Sequence, residues 1–179
     1  MKSLYTSRLI LKAYTAQDII SVFDNYGKEE IIAKMGYRTD AQYDKNRDNY
    51  TSGLIEGNKP LLMFKMIDKE THEIYGDCGY HNWFHNHHRA ELGYQLYHDD
   101  YMQKGYMTEA LKPIIEYGFE TMKLNRIEAC IYKDNEASLS LIRNLGFTYE
   151  GNLRQHYCSQ GEFSDSMLFS LLAREYNIR

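Results

Sequence analysis

Between Glu91 and Ala110 the chain reads Glu-Leu-Gly-Tyr-Gln-Leu-Tyr-His-Asp-Asp-Tyr-Met-Gln-Lys-Gly-Tyr-Met-Thr-Glu-Ala. Leu92, Tyr94 and Leu96 alternate in the manner of a strand. A short loop surrounds Gly105. Beyond it Ala110, Leu111, Ile114, Ile115, Gly118, Phe119 and Met122 return at helical spacing. Strand, glycine loop and helix in that order aim the free N–H groups of a helix start at one point, where anions bind, phosphates above all. Glycine in the loop lets a bulky phosphate approach the backbone. The loop is no Walker A sequence, because Gly105 is followed by Tyr106 and Met107, and a single glycine is too few for the dinucleotide fingerprint.

Three other groupings have chemical potential. Asp134-Asn135-Glu136-Ala137-Ser138 opens a helix that Asn135 can cap and Gly146 can end, with Ala137, Leu141 and Leu145 on one face. Cys130 as a nucleophile requires a lowered pKa, and nothing basic nearby in sequence suggests one. His81, His85, His87 and His88 lie close together, and in an extended segment His85 and His87 share a face. No cysteine or carboxylate except Glu91 stands at matching spacing, so a partly exposed hairpin tip is the reading preferred to a metal site.

The elements that position these residues follow from periodicity. Arg8 to Tyr14 alternates as strand one, and Thr15 with Asp18 caps a helix whose apolar face is Ile19, Ile20, Val22, Phe23 and Tyr26, ended by Gly27. Residues 29–57 are polar and tyrosine-rich, with a helix from Asp40 to about Glu56 that could wall a cleft. Leu61 to Asp68, Ile74 to Phe84 and a run from Ala90 form strands two to four, an antiparallel meander. Helix three spans about Met107 to Met122; Pro113 inside it predicts a kink, or a helix that settles only near that proline. Strand five is Arg126 to Lys133, parallel to strand four through the intervening helix. After the helix from Asn135 to Asn144, strands 147–157 and 163–172 meet at a turn over 159–162. By element count alone this is an α+β protein with a mixed sheet.

The chain has 179 residues, 43% hydrophobic, which predicts one domain, 1–179, with a sizeable core. A net charge of −4 argues against a nucleic-acid binder. No apolar run approaches ~18 residues and no signal-peptide core opens the chain, so neither a membrane partner nor export is expected. Three scattered cysteines, Cys78, Cys130 and Cys158, read as reduced thiols of a cytoplasmic protein.

Met102-Gln103-Lys104-Gly105-Tyr106-Met107 resembles the pyrophosphate loop of the GCN5-related N-acetyltransferases (GNAT), Gln/Arg-x-x-Gly-x-Gly/Ala, keeping the central glycine and departing from the pattern at Met102 and Met107. Met107 narrows the space left for a phosphate. Lys104-Gly105-Tyr106-x-Thr108-Glu109-Ala110 resembles the subgroup that acetylates ribosomal-protein N-termini at alanine or serine. Asn135-x-x-Ser138 followed by Gly146-Phe147 resembles the second GNAT motif. Arg8-Leu9-x-Leu11, Leu124-Asn125-Arg126, Glu150-Gly151-x-Leu153-Arg154, Asp165, Ser170-Leu171-Leu172 and Glu175-Tyr176 extend the likeness over nearly the whole chain.

The resemblance implies an α/β protein of the GNAT fold, a central, mostly antiparallel sheet splayed between strands four and five and flanked by helices. It implies acetyl-CoA as cosubstrate, with the cofactor arm along Tyr94, Gln95 and Leu96, touched by Asn135. The pyrophosphate would rest on the loop from Met102 and Gln103 through Lys104, Gly105, Tyr106 and Met107 to Thr108. No metal is implied. The acceptor is a primary amine, a protein N-terminus first, attacking the thioester directly. An α-amine of pKa about 7.8 costs roughly 1 kcal/mol to deprotonate at pH 7, a lysine of about 10.4 nearly 5, so a modest base suffices for the former. Glu91, within a match to the subgroup's Ala-Glu-Ile-Gly-Tyr, is the candidate base. Many GNAT enzymes place a tyrosine acid seven residues after the asparagine; here Ile142 stands there, and the role passes to Ser138. The alternatives are a small-molecule amine acceptor, such as a polyamine drawn by Asp40, Asp44 and Asp48, an amino sugar or an amino acid, or a catalytically idle acyl-CoA-binding domain. A homodimer is left open.

Overall fold

The computed structural model describes residues 2–51, 61–159 and 161–176. Eight strands form one mixed sheet in the order β1-β2-β3-β4-β5-β6-β8-β7, flanked by helices. They are β1 (Ser3–Tyr5), β2 (Leu9–Thr15), β3 (Leu62–Asp68), β4 (Ile74–Phe84), β5 (Arg89–Leu96), β6 (Arg126–Tyr132), β7 (Thr148–Ser159) and β8 (Glu162–Leu172). The helices are α1 (Ala16–Asn25), α2 (Lys28–Met35), α3 (Asp40–Thr51), α4 (Tyr106–Glu120), α5 (Glu136–Asn144) and α6 (Ala173–Tyr176). Backbone contacts divide the chain into two units, Met1–Trp83 with Gly93–Ile114 and Phe84–Leu92 with Ile115–Arg179.

In the first unit β2, β3 and β4 form the expected antiparallel meander, Leu11 opposite Met66 and Phe64 opposite Cys78. Leu9, Leu11, Phe64, Met66, Cys78 and Tyr80 are fully buried. Gly76 allows β5 to come close, since a Cβ there would stand 2.1 Å from the Gln95 carbonyl oxygen. Thr15 and Asp18 make the expected reciprocal cap, the Thr15 N–H donating to Asp18 at 2.8 Å. Gly27, expected to end α1, instead sits at the N-cap of α2 with φ of −75°. Gly36, at φ +75°, supplies the left-handed residue, and it ends α2. The short helix α2 and the strand β1 were not read from periodicity. Ile31 and Met35 of α2 bury against Tyr37 and Tyr97, with Ile19, Val22 and Phe23 of α1 alongside. The expected end of α3 near Glu56 lies outside the described residues.

Helix α4 begins at Tyr106 and runs through Pro113 to Glu120, so it does not wait for the proline to settle. Ala110, Leu111 and Ile114 are fully buried, which offsets the hydrogen bond that Pro113 cannot donate. The Tyr80 hydroxyl donates to the Ile114 carbonyl at 2.8 Å.

In the second unit β5 and β6 are parallel, as expected, with Arg89, Ala90 and Glu91 opposite Arg126, Ile127 and Glu128. Beyond β6 comes β8, antiparallel, with β7 at the edge. Ala90, Ile127, Ala129, Phe169 and Leu171 form the buried face. On α5 the buried residues are Leu139 and Ile142, whereas Ala137 is exposed and Leu141 and Leu145 are half-buried. The apolar stripe read from the sequence is thus rotated from the face that packs.

The first unit also buries a charge. Lys65 and Asp77 stand opposite each other on β3 and β4, 7% and 5% exposed, with Nζ 3.6 Å from Oδ2. Lys65 donates to the Met35 carbonyl at 3.0 Å and to the Tyr97 hydroxyl; Asp77 accepts from Tyr14 at 2.9 Å, from Tyr97 and from Gln95 at 3.2 Å. The rings of Tyr97, Tyr14 and Tyr37 surround the ammonium at 4.9, 5.0 and 5.6 Å. Burial lowers the Lys65 pKa to about 8, against the pull of Asp77. Lys65→Met is expected to destabilise the protein by about 3 to 5 kcal/mol, because it strands a buried carboxylate. Urea unfolding checks this, and Lys65→Met with Asp77→Leu should recover a substantial part of the loss.

Candidate active site

The loop after β5 is a constructed bend. A 3-10 turn over Asp99–Tyr101 buries Tyr101, whose ring stacks on Tyr75 with centroids 4.1 Å apart. Gln103 and Gly105 then take φ of +57° and +75°, and the Gly105 carbonyl accepts from the Glu109 N–H at 3.0 Å, opening α4. Tyr106, Met107 and Thr108 supply the first-turn amides, the donors a helix leaves free for an anion. Residues 102–105 are exposed and Met107 is 8% exposed, so the chain meets solvent through Met102, Gln103, Lys104 and Gly105.

Arg8 holds this bend. Both Nη atoms donate to the Lys104 carbonyl at 3.1 Å, Nε donates to Glu109 at 2.7 Å, and the guanidinium lies 4.2 Å from the centre of the Tyr106 ring. Glu109 also accepts from the Arg8 N–H at 2.7 Å and the Thr6 hydroxyl at 2.6 Å. Burial opposes its ionisation, but the Thr6 and Arg8 hydrogen bonds outweigh it and hold the carboxyl below the usual range. A neutralised Glu109 leaves the positive end of α4 intact for an anion. Tyr94, Gln95 and Leu96 lie on β5 in the same unit as this loop, with the Gln95 side chain directed to Asp77.

Glu91 belongs to the second unit, half-buried on β5. Its carboxylate is hydrogen-bonded by the Cys130 thiol and the Tyr157 hydroxyl. Burial first, and the Glu91 charge second, push both Cys130 and Tyr157 up to about 12. Cys130 is therefore a protonated thiol and no nucleophile. Glu128, directly opposite Glu91, is neutralised by Arg89 at 2.6 Å and Arg126 at 2.8 Å. A half-buried carboxylate of this kind has the chemistry to accept a proton.

Asn135 and Ser138 lie in the same unit. Asn135 caps α5, its Oδ1 accepting from the Ser138 N–H at 3.1 Å, and it is exposed while Ser138 is half-buried. Ile142, which stands where a tyrosine acid was sought, is fully buried core. The histidine segment is not extended: His85–His87 form a 3-10 turn and His88 takes φ of +47°. His81 stays on β4, its ring 3.0 Å from where a Cβ on Gly93 would be. Among the described residues no group of three or more metal-ligating side chains is assembled. Sequence reading missed Arg8 as loop anchor and Tyr157 as the partner of Glu91. Arg8 stands 96 residues from Lys104, and no local pattern carries such a contact. For Tyr157 the only signal was its place in a strand.

A family model described as an acetyltransferase (GNAT) domain matches residues 8–148. An uncharacterized N-acetyltransferase, p20, of Bacillus licheniformis is 35% identical over 179 residues, 98% of this chain and 99% of its own. The spermidine N(1)-acetyltransferase of Escherichia coli (strain K12) is 29% identical over 92 residues, 51% of this chain and 49% of its own. Among solved structures, a ribosomal-protein-S5-alanine acetyltransferase from Vibrio fischeri superposes with a TM-score of 0.68 at 22% identity, over 98% of this chain and 99% of that one.

The Arg8–Glu109 anchor has a pH signature. The folded-state pKa of Glu109 lies below its unfolded value, so the stability it contributes is present at neutral pH and is lost as pH falls through the depressed value. Thermal melts should therefore show Glu109→Gln less stable than the wild type at pH 7, with the gap closing as pH falls below the usual glutamate range.

Proposed function

The chain belongs to the GNAT acetyltransferase family, and from that premise we propose that this N-acetyltransferase uses acetyl-CoA to acetylate the α-amine of a protein N-terminus. The observation that carries this reading is the Glu91 carboxylate, half-buried on β5 and hydrogen-bonded by the Cys130 thiol and the Tyr157 hydroxyl. Such a carboxylate is a modest base. It suits an amine that needs roughly 1 kcal/mol to lose its proton at pH 7, and suits poorly an alkylamine that needs nearly 5.

The residues divide the work. The first-turn amides of α4 and the exposed bend from Met102 to Gly105 hold the pyrophosphate, with Lys104 adding positive potential. The backbone of Tyr94 to Leu96, with Asn135, aligns the arm that ends in the thioester. Glu91 takes the proton of the attacking amine, directly or through water, as the C–N bond forms. The C–S bond breaks as Ser138 donates a proton to the departing sulfur, and solvent restores both side chains. The 179 residues act as one catalytic domain in the cytoplasm, where the free thiols Cys78, Cys130 and Cys158 stay reduced. Among the described residues no helix is long and apolar enough to cross a membrane.

A second reading, acetylation of a polyamine, draws on the spermidine-acting relative and on Asp40, Asp44 and Asp48. Those carboxylates are already partnered, Asp40 by Lys28 at 3.0 Å and Asp44 and Asp48 by Arg47 at 3.4 and 3.3 Å, which weakens their pull on a polycation.

Steady-state assays with acetyl-CoA should show turnover of ribosomal-protein N-terminal peptides in preference to spermidine; turnover of spermidine alone overturns the first reading. Glu91→Gln should lower kcat/KM most at low pH and regain much of the loss toward pH 9, where an α-amine of pKa about 7.8 is neutral unaided. Ser138→Ala should lower kcat at every pH, with acetyl-CoA affinity little changed in either variant.

A further inference from the structure

Gly105 stands just before α4, and its carbonyl accepts the first bond of that helix, from the Glu109 N–H at 3.0 Å. That bond fixes the peptide between Gly105 and Tyr106. The peptide between Lys104 and Gly105 lies outside the helix, and Arg8 holds its plane: both Nη atoms donate to the Lys104 carbonyl at 3.1 Å. In a trans peptide the C=O and the following N–H point in opposite directions. With the Lys104 carbonyl turned toward Arg8, the Gly105 N–H is turned away from it. Gly105 has φ of +75°, and glycine takes either sign of φ at little cost. This plane could therefore turn over, and a carbonyl oxygen would then stand in place of the amide. Arg8 is itself well fixed. Its carbonyl accepts from the Lys69 N–H at 3.0 Å, and its N–H and Nε both donate to Glu109 at 2.7 Å. Lys69 Nζ also donates to the carbonyls of Thr6 and Ser7, on the approach to β2.

We infer that Arg8 is a positioning residue for the cosubstrate: its grip on the Lys104 carbonyl locks the 104–105 peptide with the Gly105 N–H as a donor of the pyrophosphate site. This rests on the reading of the loop as that site. Four amides precede the first helical bond, those of Gly105, Tyr106, Met107 and Thr108. The helix aims the last three. The first is aimed through the 104–105 peptide, and so through Arg8. Among the described residues a Cβ on Gly105 would meet Arg8 Nη2 at 3.7 Å, and residues 102–105 are exposed, which leaves room for a phosphate at the backbone. The locked peptide turns the positive end of its dipole to an anion, whereas the turned one would present the negative end. The Arg8 charge is balanced by Glu109 at 2.7 Å, so Arg8 gives the site direction rather than charge. Arg8, Lys104, Gly105 and Glu109 all belong to the first unit.

Calorimetric titration of the protein with CoA reads the effect with no acceptor present. Arg8→Ala should raise the Kd about tenfold, the order of one hydrogen bond to a charged group. Arg8→Lys keeps the charge and loses the fork that grips the carbonyl, and should raise the Kd about threefold. Glu109→Gln separates direction from charge. It removes a negative charge beside the loop, which would tighten CoA if Arg8 acted through its charge; a higher Kd is expected instead, because Arg8 loses its partner. If Arg8→Ala does not fold, Arg8→Lys and Glu109→Gln carry the test. In steady state with the fastest amine of the acceptor panel, Arg8→Ala should raise the KM for acetyl-CoA about tenfold and leave kcat within about twofold. With acetylpantetheine, which has the thioester and no phosphate, kcat/KM should stay within about twofold of the wild type. An unchanged CoA Kd in the Arg8 variants, tighter CoA in Glu109→Gln, or an equal loss with acetylpantetheine overturns the inference and leaves the loop as the pyrophosphate site. A wild-type protein that binds CoA no more tightly than pantetheine overturns the reading of the loop, and the inference with it.

Discussion

One ammonium group held out of water sets the terms for the first unit. Lys65 stands in a strand whose neighbours Phe64 and Met66 are fully buried on the other face, and its own face is closed over by α2 and the tyrosines. An unpartnered charge there would be prohibitive, so everything near it is chosen to satisfy it. Asp77 faces it across the ladder, Tyr97 bridges the two, and the carbonyl of Met35, at the C-terminal end of α2, accepts its third contact. A cation at a helix C-terminus is favoured by the helix dipole. The same bonds register β3 against β4 and tie α2 to the sheet, so the polar cluster serves position as much as stability.

Bent backbone is handled by the same means in both units. In the first, Arg8 spans from the start of β2 to the Lys104 carbonyl and to Glu109, holding a loop with two left-handed residues. In the second, Asp165 grips Asn152 before the β7 bulge and Gln155 within it. Each is a charged side chain on a regular strand or beside one, bonded to backbone in an irregular segment. Such a segment has few ladder hydrogen bonds of its own, and a distant charged group supplies the missing ones.

The chemistry of the family needs a base and an acid. In this chain Ile142, at the helix position where the resemblance implied a tyrosine acid, is sealed in the core, so no proton can leave from there. Tyrosine returns on a different element, β7, beside the carboxylate on β5. There its phenol is raised by burial first and by the Glu91 charge second, so it holds its proton through the physiological range.

Much of this was legible in residue order alone. Period-two alternation located β2, β5 and β6, and strand-like runs bounded by turns located β3 and β4, each to within a residue or two; the Thr15–Asp18 cap and the strand–glycine–helix passage were readable as local chemistry, and motifs in register identified the family. These features depend on neighbours a few residues apart, which a sequence displays directly. The face of α5 that packs, the role of Gly27 and the existence of α2 were not legible, because tertiary burial overrode weak local preference. What only the tertiary structure decided is which side chains meet. Lys65 finds Asp77 through strand register, Arg8 finds Glu109 101 residues away, and Tyr157 of β7 is a partner of Glu91 of β5. Contacts of that span leave no periodic trace in the chain, since their geometry exists only once the sheet has fixed the strand order and the register of each pair.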